Sequence, residues 1–275
     1  MLGKGDRISS EIINFIKQPQ ASFVLMEQDT GKVRAIVGGR GEKKANRTLN
    51  RATYSKRQPG STFKVLSTYA PAIDTMGYTL TTTIVDEPYS YSSGRPVENW
   101  NHTYKGTVTV KQAIAQSMNV CAVKTLTAIT PQLGYDYLLN FGITTLVDNR
   151  VEKDGSISSD INQPLALGGI TDGVTNLEMT AAYASIANTG KYTKPVFYSQ
   201  VIDSNGRIIL DNTTPNTKTI LKDSTAYLLT QAMISVVKEG TGTPCQLANG
   251  MPSAGKTGTT SSAYDLWFCG YTPYL

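Results

Sequence analysis

A chain of 275 residues, 40% of them hydrophobic, can bury a real core and suits one large domain. Its 26 basic and 21 acidic residues leave a formal net charge of +5, scattered rather than clustered, which argues against nucleic-acid binding. One histidine and three cysteines argue against a zinc site or a disulfide framework, and no run approaches the roughly 18 apolar residues needed to cross a bilayer.

Residues 1–21 are mixed and polar and read as a lead-in or linker, with the domain spanning 22–275. From Ser22 the pattern changes. Phe23-Val24-Leu25-Met26, the turn Asp29-Thr30-Gly31-Lys32 and Val33-Arg34-Ala35-Ile36-Val37 predict strand, turn and strand. Pro59-Gly60 is turn chemistry, and the apolar spacing of Phe63, Leu66, Tyr69, Ala70 and Ile73 predicts a helix over 61–73 with Ser61 at its start. The stretch 78–106, rich in Thr, Ser, Tyr, Pro and Asn, reads as an extended loop region. His102 lies in it, within Asn99-Trp100-Asn101-His102-Thr103, a polar loop with no surrounding motif. A helix over 109–115 then runs into Ser117, another follows over 120–128, and Pro131 opens a third that Gly142 closes.

Thr175-Asn176-Leu177-Glu178 is a capping box that opens a helix over 179–188, with Gly190 past its end. The segment 195–210, with Ser204-Asn205-Gly206 at its centre, predicts a second hairpin outside the main sheet. Ser224 is the expected cap of a long helix through Val237. The segments 251–259 and 266–271 read as adjacent strands. Cys121 and Cys269 lie in apolar runs and are expected as buried free thiols.

Ser61 and Lys64 stand three apart, so a helix puts them on one face and the amine within reach of the hydroxyl. The unpaired amides of the first turn favour an oxyanion developing on an acyl group attached to Ser61. A Ser-x-x-Lys pair alone is also compatible with a solvated helix surface. Ser117-Met118-Asn119 and Lys256-Thr257-Gly258-Thr259 stand downstream in the order that accompanies Ser-x-x-Lys in penicillin-binding proteins and class A β-lactamases, although taken singly they could be helix caps and a strand end. With His102 outside any motif, lysine is the natural base for a serine enzyme.

Together with Gly106-Thr107-Val108-Thr109-Val110, Ala166-Leu167-Gly168-Gly169 and Val174-Thr175-Asn176-Leu177-Glu178-Met179, these motifs resemble the transpeptidase domain of class A penicillin-binding proteins from about residue 20 onwards. The resemblance implies an α+β sandwich, a five-stranded antiparallel sheet flanked by helices. It implies Ser61 as acylated nucleophile, Lys64 as the group that takes its proton, Ser117 as relay to the leaving amine, and Asn119 as the amide that holds the substrate peptide. Lys256, Thr257 and Thr259, with Gly258 between them, would receive the terminal carboxylate of a D-alanyl-D-alanine stem peptide. The backbone amides of Ser61 and Thr259 would form the oxyanion hole. No metal and no cofactor is implied; the partners are peptidoglycan stem peptides and β-lactam antibiotics, and the place is the outer face of the bacterial cytoplasmic membrane.

The pattern departs from the family in two respects. Its class A members also carry a glycosyltransferase domain and a membrane anchor, expected to lie outside this sequence, and the last strand and C-terminal helix of the sheet are expected beyond residue 275. A serine β-lactamase needs a second base for deacylation, and Glu152, Glu178 and Glu239 lack the Glu-x-x-x-Asn pattern, so slow hydrolysis is expected. A D,D-carboxypeptidase, a β-lactam sensor and a catalytically idle structural domain remain the other readings.

Overall fold

Alternation of side chains across Phe23–Met26 buries Val24 and Met26 and exposes Phe23, which makes it a strand with one covered face. It pairs antiparallel with Val33–Val37 through a bulge at Leu25/Met26, and Gly31, at φ +74°, closes the turn. The computed structural model describes residues 18–43 and 45–275, so most of the expected lead-in lies outside the described residues.

The strand Ala254–Thr259 pairs with Leu266–Tyr271 in a second antiparallel hairpin, Lys256 opposite Cys269. Among the described residues these four strands stand as two separate hairpins rather than one continuous sheet, since no ladder joins Phe23–Met26 to Leu266–Tyr271. Helix Asn176–Ala187 packs against a strand of each. Its buried face of Ala181, Ala182 and Ala184 is small enough to bring both hairpins close. The predicted capping box is formed in full: Thr175 and Glu178 each take the other's backbone N–H.

The main core is a helical cluster drawn chiefly from 60–75, Asn119–Ile129, Pro131–Asn140, Asn176–Ala187 and Asp223–Glu239, and a smaller cluster of Met26, Ala181 and Ala184 joins the first hairpin to the helix Asn176–Ala187. The segment after Ser61 departs from the regular helix expected. It starts as a 3-10 turn, Gly60–Thr62, widens to a π-helix, Lys64–Tyr69, and ends as an α-helix, Ala70–Thr75. Within it the Ala70 N–H reaches back five residues to Val65 O, the Ser67 hydroxyl donates to Phe63 O at 2.9 Å, and Pro71, which has no N–H, cannot continue the ladder. Ser224 does not cap the long helix. Lys222 is its N-cap residue, and the Asp74 carboxylate accepts the Lys222 N–H at 3.0 Å and the Thr225 hydroxyl at 2.7 Å.

The region 78–106 is more ordered than a loop. Thr83–Asp86 pairs with Gly106–Thr109, and Tyr89–Ser90 with Pro96–Val97. The hairpin expected over 195–210 pairs Gln200–Ile202 with Ile208–Asp211 as a separate, largely exposed ribbon. Cys121 and Cys269 are buried free thiols, and Cys245 is free and half-buried.

Candidate active site

The turn that carries Ser61 is clamped by backbone on three sides. Arg57 exchanges both backbone hydrogen bonds with Val174, each 2.9 Å, and the Gln58 side chain bonds both the N–H and the carbonyl of Ile170. Gly168 sits at φ +73°, and a Cβ there would come within 2.4 Å of Gly60 O. On the far side, a Cβ on Gly258 would meet Pro59 O at 2.6 Å, and one on Gly60 would meet Thr259 O at 3.0 Å. Only glycine allows these three chain segments to touch. The Trp267 indole N–H donates to Gln58 O at 2.9 Å, and the Tyr183 hydroxyl to Thr62 O at 2.7 Å. Sequence motifs gave Gly168 no physical role, and Tyr183 and Trp267 carried no local signal at all.

The other two motifs meet this turn. Lys64 and Lys256 are both fully buried, and among the described residues no carboxylate lies within ion-pair distance of either. They share the Ser117 hydroxyl, at 3.2 Å from Lys64 Nζ and 2.8 Å from Lys256 Nζ. Lys64 Nζ also donates to Ser117 O and Asn119 Oδ1, both at 2.6 Å, and Lys256 Nζ donates to Thr257 O at 2.9 Å. The expected contact between Lys64 and Ser61 is therefore replaced. The amine is turned to acceptors of the Ser117-Asn119 turn, and among the described residues no hydrogen bond reaches the Ser61 hydroxyl.

Burial disfavours a charged amine, so it drives both lysines below the ordinary lysine range. For Lys64 the charge of Lys256 adds to the effect and holds it well below 10.5; Lys256 is lowered to about 7. Two ammonium groups on one hydroxyl repel, and burial with the charge of Lys256 favours the neutral form of Lys64. A neutral amine has two protons and one lone pair. The two 2.6 Å acceptors take the protons, and the lone pair is left for a hydroxyl.

Neither Ser117 nor Asn119 acts as a helix cap with its side chain. The N-cap of Asn119–Ile129 is Met118, without a side-chain bond. Ser117 is held at φ +54°, a left-handed conformation that costs an L-residue energy and aims its hydroxyl between the lysines. The second Asn119 group, Nδ2, donates to Glu98 O at 2.7 Å. Thr257 shares its hydroxyl with Thr241 at 2.7 Å, while the Thr259 side chain is exposed.

Ser61, Ser117, Asn119, Thr257 and Thr259 line one cleft of about 1820 Å³. Glu98 is the one carboxylate in its lining, at the rim, where it pairs with the exposed His102 at 3.1 Å. Glu152 and Glu178 are turned elsewhere, to Arg150 and to Thr144 and Thr175. The arrangement brings a hydroxyl at a turn, and a second hydroxyl bridging two buried amines of lowered pKa, to one opening.

Residues 21–274 match the family described as the penicillin binding protein transpeptidase domain. The chain belongs to that family. Penicillin-binding protein 1A of Clostridium botulinum (strain Langeland) is 38% identical over 271 residues, 95% of this chain and 31% of its own. Penicillin-binding protein 1A/1B of Bacillus subtilis is 32% identical over 282 residues, 97% of this chain and 29% of its own. Among solved structures, PonA1 of Mycobacterium tuberculosis in complex with penicillin V superposes with a TM-score of 0.77 at 26% identity, covering 93% of this chain and 68% of that one. The chain spans 29–34% of the length of the relatives first matched. As a transpeptidase-family domain it has the penicillin-binding, β-lactamase-like α+β fold that the motifs implied.

Proposed function

We propose that this domain is a peptidoglycan D,D-transpeptidase working through an acyl-enzyme on Ser61. The observation that carries the reading is the Ser117 hydroxyl held between two buried lysines with no acidic partner, at the cleft that Ser61 lines. Such a site binds an anionic acyl donor and can move a proton without histidine. The terminal carboxylate of a D-alanyl-D-alanine stem peptide would neutralise Lys256, aided by the hydroxyls of Thr257 and Thr259, with Gly258 keeping that strand against the nucleophile turn.

Substrate binding and rotation of the Ser61 side chain would bring its hydroxyl to the Lys64 lone pair, since hydrogen bonds of this kind tighten on substrate binding. The Ser61 proton passes to Lys64 as Oγ attacks the carbonyl carbon. The oxyanion faces the N–H groups of Ser61 and Thr259, where loss of one donor typically costs about a hundred- to a thousandfold in rate. The tetrahedral species collapses, and the proton leaves Lys64 through the Ser117 hydroxyl to the departing amine of D-alanine. An acceptor amine, from a neighbouring stem peptide, then attacks the ester, gives up its proton along the same path in reverse, and restores the Ser61 hydroxyl. Asn119 would use its remaining N–H to hold the donor peptide. β-Lactams enter as donor mimics. The whole protein is placed, by the same reading, on the outer face of the bacterial cytoplasmic membrane, with a glycosyltransferase domain and an anchor in the remainder of its length.

Intact-protein mass spectrometry after incubation with a labelled penicillin tests the reading, with Ser61→Ala as control. A long-lived adduct confined to Ser61 is expected. Rapid loss of the adduct would point to a β-lactamase, and absence of any adduct on folded protein would overturn Ser61 as nucleophile. Product analysis with a stem peptide separates cross-linked dimer from trimmed monomer, the latter marking a carboxypeptidase.

A further inference from the structure

The helix Asn119–Ile129 leaves its first amides without a cap of its own, because position 118 is a methionine buried in the core. The missing acceptor comes from a distant loop. Asn99 Oδ1 accepts the Asn119 N–H at 2.8 Å and the Val120 N–H at 3.3 Å. Its Nδ2 donates to both oxygens of Asp86, at 2.8 and 3.1 Å, and to Thr103 O at 2.9 Å. Asp86 also accepts the Lys105 N–H at 2.9 Å. Asp86 is 1% exposed and Asn99 4%, and among the described residues no basic side chain lies within ion-pair distance of Asp86. The orientation of the Asn99 amide is fixed, since a carboxylate and a carbonyl take only donors and two N–H groups need an acceptor.

We propose that Asn99, held by Asp86, is a positioning residue that fixes the Ser117-Asn119 turn and, through it, the Lys64 amine; this rests on the reading of Ser61 and Lys64 given above. The two shortest bonds of Lys64 Nζ end on this turn, at Ser117 O and Asn119 Oδ1. Ser117 holds its left-handed backbone only if the surroundings restrain it. Both approaches to the turn are tied to one strand pair. Asp86 ends Thr83–Asp86, and its partner strand Gly106–Thr109 ends in Thr109, the N-cap of the helix Val110–Ala115 that leads into Ser117. A hydrogen bond to a carboxylate is stronger than one between neutral groups, so Asp86 both orients the Asn99 amide and makes its oxygen a better acceptor. Supplying the cap from outside leaves the side chains of 117 and 119 free to face the lysines.

The test compares Asn99→Ala, Asn99→Asp, Asp86→Asn and the paired Asn99→Asp/Asp86→Asn in the full chain. Two quantities are read on folded protein: the acylation rate with labelled penicillin, and amide hydrogen exchange at Asn119 and Val120. Asn99→Ala should slow acylation by about tenfold or more, as expected for a displaced catalytic group, and should speed exchange at both amides. Asn99→Asp should do the same, because it sets two buried carboxylates face to face. Adding Asp86→Asn should recover much of both, since the introduced amide can donate to the introduced carboxylate; loss of packing alone would not be recovered this way. Unchanged acylation or exchange in Asn99→Ala, or a paired variant no better than Asn99→Asp, would overturn the proposal. If Asn99→Ala does not fold, the Asn99→Asp pair of measurements decides. Absence of an adduct on the parent protein would refute Ser61, while the exchange measurements still judge the strut.

Discussion

At the scale of single residues, the proposed mechanism depends on setting two identical groups apart. The proposed mechanism needs Lys64 neutral to accept a proton and Lys256 charged to attract a carboxylate; burial lowers both, and the charge of Lys256 lowers Lys64 further. The pH dependence follows with a definite sign. Below the depressed Lys64 pKa the amine is protonated and acylation falls; above about 7, Lys256 in the free protein loses its charge and the second-order acylation constant falls again. A bound carboxylate favours the charged amine, so the first-order constant at saturating β-lactam should keep its plateau to higher pH. Stopped-flow acylation over a range of pH checks this, and coincident alkaline limbs in the two constants would refute it. The Ser-x-x-Lys spacing placed the two residues on one segment from sequence alone. It could not show that Lys64 turns to Ser117, because the acceptors that capture it lie 53 and 55 residues away in the chain.

At the scale of elements, the nucleophile turn is an assembly of close backbone contacts, and Gly168 is the tightest of them. Gly168→Ala would combine a left-handed φ with a Cβ inside contact distance of Gly60. The expected result is destabilisation of about 1–3 kcal/mol in denaturant unfolding. Displacing the turn by about an ångström should also slow Ser61 acylation about a hundredfold. A variant that acylates at the parental rate would show that the contact does not position Ser61. Elements with local chemistry were readable from sequence: Thr175 and Glu178 form their capping box, and the apolar runs about Asp29-Thr30-Gly31-Lys32 form their hairpin. The misses have long-range causes. The N-cap of the helix assigned to Ser224 is Lys222, whose N–H is held by Asp74 from 148 residues away, and the widening after Lys64 has no counterpart in the apolar spacing that marks a helix. Asn99 looked like loop because its partners lie 13 and 20 residues away.

At the scale of the molecule, the proposed function draws on the Ser61 turn, the Ser117-Asn119 turn and the strand Ala254–Thr259, which meet at the cleft, and one prominent feature stands outside it. The ribbon Gln200–Ile202 and Ile208–Asp211 exposes Val201, Ile202, Ile208, Ile209 and Leu210 by 40–55% each. Ser199 and Asn212 already pair at its base, with an N–H to carbonyl bond of 2.7 Å. Replacing 200–211 by an Asn-Gly turn should leave the acylation rate unchanged and shift stability by no more than about 0.5 kcal/mol. A slower rate, read by the same penicillin adduct, would show that the ribbon supports the site. Fold class and motif order were readable in the chain. The long reach of the site's bonds has a practical consequence. The Ser117 hydroxyl is bonded to a lysine 139 residues further on, so no local piece of the chain can assemble the reacting groups. A penicillin label on Ser61 would then serve as a census of correctly folded molecules, counting each native copy once in a mixture where total protein says nothing of quality.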